Sequence, residues 1–468
     1  MGAVHAASRH QLNGHTRAHN IAVVGSGHVG TVMASGFASL GHHVVGIDRS
    51  EALVRALSDG EVPFHEDGLP DLVRDGVRSN RLRFTTSYAD GVPKADFIFL
   101  AVDTPATPVG AADLRNIRAA AHSIAGSLNG TNPVIVNKST SPIGTGETIE
   151  GIIRGKIAAT RREPRIVSNP EFLRQGRAVF DFFNPDRIVI GSRSNRDARA
   201  VASLYQGLGG EIIITNLRTA EMIKYVANSF LATRISFINE VARLCDALGV
   251  EVDHVVAGIG HDERIGTHFF KPGIGFGGSC LPKDIAALRY MGEALGVSTP
   301  VLSAVQQVNQ HQRTDAVRKL RSLLGSLDGK RIAVWGLTFK AQTEDTRESP
   351  AIDVMGLLLN EGAELRVYDP VVRQREQPRV PARIRDALVS DPLEAARGAD
   401  ALAILTDWSE FQTVPLAGLR SSMTGNVIFD GRNILDRTTA EDAGFVYVGV
   451  GRPHPAAIPA TRKAGAAA

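Results

Sequence analysis

A glycine-rich loop near the beginning of the chain, Gly25–Gly30, reads GSGHVG and limits the fold more than any other feature of the sequence. It follows a short apolar strand that runs into glycines, Asn20–Gly25, and it opens an apolar stretch at helical spacing from Val29 to Leu40. In such a turn the first glycine permits a tight bend, the second lets a pyrophosphate approach the backbone, and the third lets helix and strand pack closely. The phosphates would meet N–H groups at the helix N-terminus. We therefore predict a dinucleotide-binding βαβ unit, and a purely structural glycine turn is the weaker interpretation.

An acidic residue ends the next predicted strand. That strand, His43–Asp48, places Asp48 where a carboxylate can bind both ribose hydroxyls of the cofactor. Because a carboxylate there would repel a 2′-phosphate, Asp48 favours NAD over NADP. Because the basic Arg49 follows Asp48, these residues alone do not exclude NADP.

Further apolar strands alternate with helical stretches along the first half of the chain. The strands fit Asp96–Val102, Pro133–Asn137, Arg165–Ser168 and Arg187–Gly191. Strands that alternate with helices predict a parallel, doubly wound sheet.

The second half of the chain repeats this pattern after a long helix. Apolar residues recur at helical spacing without a breaker from Thr219 to Leu248, which predicts one helix long enough to connect two domains. Three later strands, Arg331–Gly336, Gly362–Asp369 and Ala399–Thr406, resemble the early ones in the same order. We therefore predict an α/β fold with two Rossmann-like doubly wound domains joined by a long central helix. Since Leu337 occupies the place where the glycine fingerprint would continue, the second domain should hold something other than an NAD pyrophosphate.

Length and composition exclude several classes of protein. A chain of 468 residues, 43% hydrophobic, is too long for one ordinary core and implies two or three domains. A charged fraction of 22% with a net charge of +3 does not suggest nucleic acid or a membrane surface as a partner. The two cysteines, Cys245 and Cys280, cannot form a disulfide framework and lack metal-ligand spacing, which predicts no metal site and a reducing, cytoplasmic location.

Both ends of the chain are polar or of low complexity. Residues 1–19 contain His5, His10, His15 and His19 but no apolar stretch, so we expect a disordered leader rather than a signal peptide, and metal binding by these histidines is the weaker interpretation. Residues 452–468, rich in Ala, Pro and Arg, are expected to form a disordered tail.

Cys280 lies in a segment with more polar chemistry than packing requires. The segment Gly275–Asp284 reads GFGGSCLPKD, and Pro282 suits the first turn of a helix. A cysteine at a helix N-terminus is favoured as thiolate by the partial positive charge there. Asp284 comes one helical turn later on the same face. A small buried hydrophobe is the usual role of a lone cysteine, but the glycine-rich turn makes it the weaker interpretation here.

Two other segments are candidates. Lys224 and Asn228 share one face of the long helix, although a solvated helix edge would be the better interpretation of that pair alone. Glu171 lies in a loop just after a predicted strand, where doubly wound folds bind ligands, and the alternative is an ordinary acidic residue at a helix N-terminus.

With these features the chain resembles the UDP-glucose/GDP-mannose dehydrogenase family, and the resemblance extends from about Asn20 to about Val450. Besides the glycine loop, the matching motifs are Thr104-Pro105 with Ala112–Leu114, Lys138–Thr140, Asn169–Leu173, Pro185–Gly191, Lys224 with Asn228, Asp262–Gly266, Gly275–Asp284, Phe339-Lys340 with Asp345–Arg347, and Asp430–Arg432. Their order and spacing make a chance match negligible.

The resemblance implies NAD as cofactor, a UDP-sugar substrate and a homodimer, or a higher homo-oligomer, built on the central helix. It implies an NAD-binding domain at 20–215, a central helical dimerisation domain at 216–325 and a UDP-sugar-binding domain at 326–451. It makes Cys280 the nucleophile. The other catalytic positions that it matches are Lys224, Asn228 and Asp284 around the sugar C6, and Thr140 and Glu171 around a water molecule.

The resemblance also matches individual positions to the two ligands. Those matched to the cofactor are Gly25, Gly27, His28, Val29, Gly30, Asp48, Arg49, Thr104, Thr140, Lys283 and Arg347. Those matched to the UDP-sugar are Glu171, Phe172, Leu173, Lys224, Asn228, Arg264, Phe269, Lys271, Phe276, Gly277, Phe339, Lys340 and Arg432. Arg264 matches a position that reaches into the partner subunit's site.

The implied reaction is a four-electron oxidation of the C6 alcohol of UDP-glucose to UDP-glucuronate through a thiohemiacetal and a thioester on Cys280. GDP-mannose ranks second as substrate: Leu281 resembles GDP-mannose members, whereas Pro185–Gly191 and Arg264–Gly266 resemble the UDP-glucose type. A single-step hydroxy-acid dehydrogenase would not need the thiol, and a non-catalytic NAD sensor would not need the polar constellation. The number of NADH molecules released per sugar separates these three classes.

Overall fold

The computed structural model describes residues 17–157, 162–372 and 380–453. Most of the predicted leader, residues 1–16, and the predicted tail from residue 454 lie outside the described residues. The chain divides into two compact units: the first comprises Met1–Pro108 and Ala112–Tyr225, and the second comprises Val109–Ala111 and Val226–Ala468.

One sheet of eight strands organises the first unit. The strands are β1 (Asn20–Val24), β2 (His43–Ile47), β3 (Leu82–Thr85), β4 (Phe97–Leu100), β5 (Val134–Asn137), β6 (Arg165–Ser168), β7 (Arg187–Ser192) and β8 (Glu211–Thr215). Their order is β3-β2-β1-β4-β5-β6-β7-β8, and the first six have the 3-2-1-4-5-6 order of a dinucleotide-binding sheet. The expectation of a wholly parallel sheet is wrong at one place, because β7 pairs antiparallel with β6.

Helices cover both faces of this sheet. They are α1 (His28–Ser39), α2 (Glu51–Ser58), α3 (Leu69–Arg78), α4 (Tyr88–Gly91), α5 (Arg115–Ser127), α6 (Thr145–Ile157), α7 (Ala178–Phe183) and α8 (Asn195–Ser203). Successive residues of a strand point to opposite faces. In β1, Ile21 and Val23 accordingly belong to one apolar core, and Ala22 and Val24 belong to another. Burial on both faces explains why the central strands are continuous apolar runs.

A 32-residue helix, α9 (Leu217–Leu248), begins in the first unit and ends in the second. The helix predicted from Thr219 to Leu248 is therefore confirmed, with two more residues at its beginning.

The second unit contains three more helices before its own sheet, which has five strands. Its elements are α10 (Val252–Gly260), α11 (Leu281–Ala294), α12 (Pro300–Leu324), β9 (Arg331–Trp335), α13 (Pro350–Asn360), β10 (Glu364–Tyr368), α14 (Ala382–Arg385), α15 (Pro392–Ala396), β11 (Ala401–Ile404), a 3-10 helix (Ser409–Thr413), α16 (Leu416–Ser422), β12 (Val427–Asp430), α17 (Arg437–Asp442) and β13 (Val446–Gly449). The strands are all parallel in the order β10-β9-β11-β12-β13, which is the second common doubly wound order. The predicted α/β fold with two doubly wound sheets and a long helix is confirmed.

In the part of the chain that the structure describes, no helix is both long and apolar enough to cross a bilayer.

Candidate active site

Three glycines shape the loop between β1 and α1. Gly25 has φ +96°, and a Cβ on it would lie 2.5 Å from the carbonyl oxygen of Ala101. A Cβ on Gly30 would lie 1.8 Å from the carbonyl oxygen of Gly25, so only glycine lets α1 pack this closely. At Gly27, the N-cap of α1, a Cβ would meet nothing within 4 Å. Open space at a helix N-terminus is what the pyrophosphate of NAD requires, and the residues present therefore fit the cofactor.

The carboxylate of Asp48 lies just after β2 and closes this loop. Its Oδ2 accepts a hydrogen bond from the Ser26 N–H at 2.8 Å, and its Oδ1 accepts one from the Ser50 N–H at 2.9 Å. Asp48 is half-buried, whereas the neighbouring Arg49 is exposed. The two hydrogen bonds thus hold the carboxylate still beside the glycine loop, as ribose recognition requires.

Another predicted cofactor position, His28, binds the protein itself through its side chain. The Nε2 of His28 lies 2.7 Å from a carboxylate oxygen of the buried Glu66. Glu66 also accepts hydrogen bonds from the N–H groups of Gly176 and Ala178 at 2.7 and 2.6 Å. The His28 side chain therefore links the glycine loop to Glu66.

Glu171 and Lys224 form a buried ion pair in the first unit. Glu171 lies just after β6, and its Oε1 is 3.1 Å from the Nζ of Lys224 on α9. Its Oε2 accepts a hydrogen bond from the Leu173 N–H at 2.7 Å. Burial by itself raises the pKa of Glu171, but the charge of Lys224 and these hydrogen bonds outweigh burial and lower it. The interpretation of Lys224 as a solvated helix edge is wrong, because its side chain is 5% exposed.

Thr140 lies close to the same pair. Its carbonyl oxygen accepts a hydrogen bond from the Thr104 hydroxyl at 2.6 Å. A cavity of about 10 Å³ is lined by Thr140, Lys224 and Glu221, among others. That is close to the volume that one water molecule needs.

Glu221 and Lys138 were not predicted as functional from the sequence. Glu221 on α9 is buried and accepts hydrogen bonds at 2.7 Å from the N–H groups of Gly144 and Gly146, and burial raises its pKa to about 7. Lys138 is a buried cation directly after β5, and burial lowers its pKa to about 7. A charged residue directly after an apolar strand or on a helix is usually solvated. The burial of Glu221 and Lys138 is therefore visible only in the structure.

In the second unit Cys280 is the N-cap of α11 and is exposed, so the buried-hydrophobe interpretation is wrong. Asp284 lies one turn later, is 1% exposed, and donates its N–H to the carbonyl oxygen of Cys280 at 2.9 Å. Its Oδ2 accepts a hydrogen bond from the Asn228 Nδ2 at 2.6 Å, and its Oδ1 lies 2.6 Å from the Lys283 Nζ. The structure therefore brings Cys280, Asp284, Asn228 and Lys283 together.

The glycine turn before Cys280 packs against other predicted substrate and cofactor positions of the same unit. The Gly278 N–H donates to the carbonyl oxygen of Arg347 at 3.1 Å, and a Cβ on Gly278 would lie 2.7 Å from the ring of Phe339. Arg432 donates hydrogen bonds at 3.2 Å to the carbonyl oxygens of Gly275 and Phe339. This turn is thus held rigidly, which fixes the position of the thiol at its end.

The remaining predicted substrate positions lie on the surface or beside those residues. Arg264 is 88% exposed and pairs with Asp262 at 2.6 Å. Phe269 has a left-handed backbone with φ +62°, and Lys271 is exposed. Within one chain these three residues do not join the Cys280 cluster through any described hydrogen bond or ion pair.

The second sheet has an acid, Asp369, at the position that corresponds to Asp48, but Asp369 is buried whereas Asp48 is half-buried. The Oδ2 of the buried Asp369 accepts from the N–H groups of Leu337 and Thr338 at 2.8 and 3.2 Å. The side chains of Leu337 and Thr338 are buried where the first sheet has its glycine loop. This sheet therefore lacks the cradle for a dinucleotide pyrophosphate.

No group of three or more His, Cys, Asp and Glu side chains among the described residues is arranged to hold a metal ion. The first unit, with its glycine loop, the acid after β2 and a sheet whose first six strands have the order 3-2-1-4-5-6, is the dinucleotide-binding domain of an NAD-dependent oxidoreductase.

Comparison with known proteins agrees with this class and narrows it. The sequence model of the UDP-glucose/GDP-mannose dehydrogenase family, NAD binding domain, matches residues 19–209. The central domain of the same family matches residues 218–311, and its UDP binding domain matches residues 333–437.

Individual relatives match over nearly the whole chain. A UDP-glucose 6-dehydrogenase of Bacillus subtilis (strain 168) is 42% identical over 433 residues, which are 92% of this chain and 93% of that protein. A UDP-glucose 6-dehydrogenase of Pseudomonas aeruginosa is 40% identical over 442 residues, 92% of this chain and 97% of that protein. The solved structure of a UDP-glucose dehydrogenase from the archaeon Pyrobaculum islandicum has 38% identity and a TM-score of 0.86 and covers 93% of this chain and 98% of that chain. The chain belongs to the UDP-glucose/GDP-mannose dehydrogenase family, and NAD is its cofactor.

Proposed function

We propose that this chain oxidises the C6 alcohol of UDP-glucose to a carboxylate and so produces UDP-glucuronate. The observation that carries the proposal is the exposed Cys280 at the N-terminus of α11, hydrogen-bonded through its backbone to a buried Asp284. An aldehyde needs a nucleophile before it can lose a second hydride, and a thiol meets that need. The names of the relatives from Bacillus subtilis and Pseudomonas aeruginosa support UDP-glucose as the substrate.

The cofactor is held by the Gly25–Gly30 loop and Asp48. NAD bound there would supply the hydride acceptor for both oxidations at C6. In the first oxidation the C6 hydroxyl must also lose a proton, which Asp284 takes through a water molecule or Lys224 takes directly. The product of this step is an aldehyde.

Cys280 then acts as the nucleophile. Its thiolate adds to the aldehyde carbon, and the resulting alkoxide becomes the hydroxyl of a thiohemiacetal. Loss of the second hydride and of the hydroxyl proton leaves a thioester on Cys280. Lys224 and Asn228 stabilise the negative charge that develops on the oxygen in these steps.

Hydrolysis of the thioester completes the reaction. Glu171 and Thr140 hold a water molecule, whose oxygen forms the new bond to the acyl carbon while the sulfur leaves as thiolate. The lowered pKa of Glu171 keeps its carboxylate ionised and able to take the water proton. The one-water cavity lined by Thr140 and Lys224 supports this assignment.

The substrate is proposed to be held by three groups of side chains: Phe172 and Leu173 after β6; Phe269, Lys271, Phe276 and Gly277 before Cys280; and Phe339, Lys340 and Arg432 in the 326–451 region. Arg347, Lys283, His28, Val29, Arg49 and Thr104 are proposed as cofactor contacts. The proposed domains are the NAD-binding domain at 20–215, the central helical dimerisation domain at 216–325 and the UDP-sugar-binding domain at 326–451.

A homodimer built on α9 is part of the proposal. Apolar side chains exposed on α9 in the single chain support it: Met222, Val226, Phe230, Phe237, Leu244 and Leu248. A protein that depends on an exposed thiol also suits the reducing cytoplasm.

The test is the release of NADH from UDP-glucose, GDP-mannose, UDP-galactose and UDP-N-acetyl sugars under identical conditions. We expect two NADH per UDP-glucose and UDP-glucuronate as the product. One NADH per sugar would indicate a single-step dehydrogenase. Release of NADH from GDP-mannose alone would make GDP-mannose the substrate. No release from any of these sugars would indicate a protein that binds NAD without oxidising a nucleotide sugar.

A further inference from the structure

A second buried ammonium group lies beside the Glu171 segment, and the proposed mechanism does not use it. The Nζ of Lys138 lies 3.1 Å from the Oδ1 of Asn169, 3.4 Å from the carbonyl oxygen of Pro170 and 3.4 Å from the hydroxyl of Tyr205. An ammonium has three protons and no acceptor, so these three oxygens satisfy the charged form completely. The contacts of Lys138 therefore suit its charged form.

Two of those contacts fix the residues that immediately precede Glu171. Asn169 is also held by its N–H to the carbonyl oxygen of Asn137 at 2.9 Å and by its Nδ2 to the carbonyl oxygen of Val189 at 2.7 Å. Its Oδ1 accepts a second hydrogen bond, from the Tyr205 hydroxyl at 2.7 Å. The turn from Asn169 to Glu171 is therefore anchored from β5, from β7 and from Tyr205 just after α8, and Lys138 supplies the charged anchor.

Lys138 and Tyr205 also line a cavity of about 60 Å³ with Glu171 and Phe172. The charged and titratable groups that face this cavity or Glu171 are Lys138, Glu171, Arg174, Asp181, Asp186, Arg187, Tyr205 and Lys224. Arg174 is paired with Asp181 at 2.6 Å, and the Arg187 guanidinium lies 3.9 Å from the centre of the Phe172 ring. Burial raises the pKa of Tyr205, so this hydroxyl stays neutral and does not cancel the charge of Lys138.

We infer that Lys138 is a positioning residue for thioester hydrolysis: it anchors the turn before Glu171 and supplies a second positive charge that keeps the Glu171 carboxylate ionised. This inference rests on the proposed function, because it assumes that Glu171 is the base for the hydrolytic water.

The signs of the charge effects agree with this role. The charge of Lys138 contributes to lowering the pKa of Glu171. In return, burial lowers the pKa of Lys138, the charge of Glu171 opposes this effect, the charge of Lys224 adds to it, and the resulting pKa is about 7. Lys138 therefore carries its charge below about pH 7, and so throughout the acid range in which Glu171, with its lowered pKa, binds a proton. Removal of that charge should raise the pKa of Glu171 and move the acid limb of hydrolysis to higher pH.

The experiment compares Lys138→Gln, Lys138→Met and Tyr205→Phe with the wild-type enzyme in single-turnover hydrolysis of the thioester between about pH 3 and pH 8, a range that includes the acid limb set by Glu171. Gln removes the charge but can still donate to Asn169 and Pro170, Met removes both charge and hydrogen bonds, and Phe removes one anchor of Asn169 without changing charge. We expect the acid limb to move up by about one pH unit in both Lys138 variants and not to move in Tyr205→Phe.

The outcomes separate this inference from the function on which it rests. If the wild-type enzyme forms no thioester with UDP-glucose, the proposed function fails and Lys138 is not at issue. If the wild-type enzyme forms it and hydrolyses it, but the Lys138→Gln limb coincides with the wild-type limb, the inference alone is overturned. The first burst of NADH shows that each variant is folded, so a Lys138→Met protein that does not fold leaves the decision to Lys138→Gln. A uniform loss of rate at all pH values in both Lys138 variants would reduce Lys138 to a structural anchor.

Discussion

Two buried carboxylates of this chain are suited to different tasks by their partners. Glu171 pairs with one cation and accepts one backbone N–H, which keeps it ionised and leaves it able to accept a proton from water. Asp284 is held between Asn228 and Lys283 beside the backbone of Cys280. Burial alone would favour the neutral form of Glu171, but Lys224 and the neighbouring hydrogen-bond donors outweigh burial and keep its pKa low.

Replacement of the exposed thiol is the most direct test of the chemistry. Cys280→Ala should lower formation of the acid by about a thousandfold or more, because no second hydride can leave without a covalent adduct. NAD binding, measured by fluorescence titration, should remain at the wild-type level, since the glycine loop is untouched. The buried Cys245 on α9 is the matched control, and Cys245→Ala should keep wild-type turnover. A Cys280→Ala enzyme that still makes UDP-glucuronate at the wild-type rate would remove the thiol from the mechanism.

The role of Glu171 can be separated from the oxidations. Glu171→Gln keeps the size of the side chain but lacks a carboxylate to take the water proton, so the thioester on Cys280 should accumulate during turnover. Intact-protein mass spectrometry after mixing with UDP-glucose and NAD should show the mass of the acyl adduct. Unmodified enzyme during slow turnover would contradict a hydrolytic role for Glu171.

At the scale of single elements, the sequence predicts those whose pattern is local. The glycine loop before α1 and the 32-residue α9 are set by residue spacing, and both are found where the pattern places them. Four strands were not predicted from the sequence: β3, β8, β12 and β13. β12 and β13 have four residues each, and an apolar run that short does not distinguish a strand from a buried helical segment. β3 has only four residues, and β8 is an edge strand with partly exposed isoleucines, so neither shows the continuous apolar run of a buried strand.

The candidate site was predicted less completely than the fold. Cys280 and Asp284 are close in sequence, and their helix-terminal pattern is visible without a structure. Lys138 acquires its role only from Asn169 and Tyr205, which are 31 and 67 residues away. Its burial depends on tertiary packing that no local spacing encodes.

The glycine loop offers a prediction at the level of one element. Gly27→Ala should leave the melting temperature near the wild-type value, because a Cβ there meets no protein atom within 4 Å. The same methyl should obstruct the pyrophosphate and weaken NAD binding by about 1–3 kcal/mol, roughly tenfold to a hundredfold. Gly126→Ala in α5 is the control, since its Cβ also meets nothing within 4 Å and lies outside the loop. Unchanged NAD affinity in Gly27→Ala, measured by calorimetry, would contradict this location of the cofactor.

At the scale of the whole molecule, one chain uses two doubly wound sheets for different ligands. The two sheets differ in the loop that comes directly after the first strand of each. After β1 three glycines leave space at the N-terminus of α1, whereas after β9 the buried side chain of Leu337 fills the corresponding place and packs beside the buried Asp369. The loop after the first strand therefore explains why the first sheet, and not the second, has space for a dinucleotide pyrophosphate.

The proposed dimer makes its own prediction, in which Arg264 completes the site of the neighbouring subunit. Within one chain the Arg264 guanidinium is 88% exposed and contacts only Asp262 among the described hydrogen bonds and ion pairs. A pair this exposed contributes little to stability, so Arg264→Ala should fold normally. A guanidinium is suited to bidentate contact with a diphosphate, and its loss should therefore lower kcat/KM for UDP-glucose. Arg264→Ala and Cys280→Ala homodimers should both be poorly active.

In a mixed dimer one site combines an intact Cys280 from one chain with an intact Arg264 from the other, so subunit exchange should restore activity in that site. Differential affinity tags would isolate the mixed dimers before the assay. Mixed dimers without recovered activity would place Arg264 in its own subunit's site or outside the site altogether.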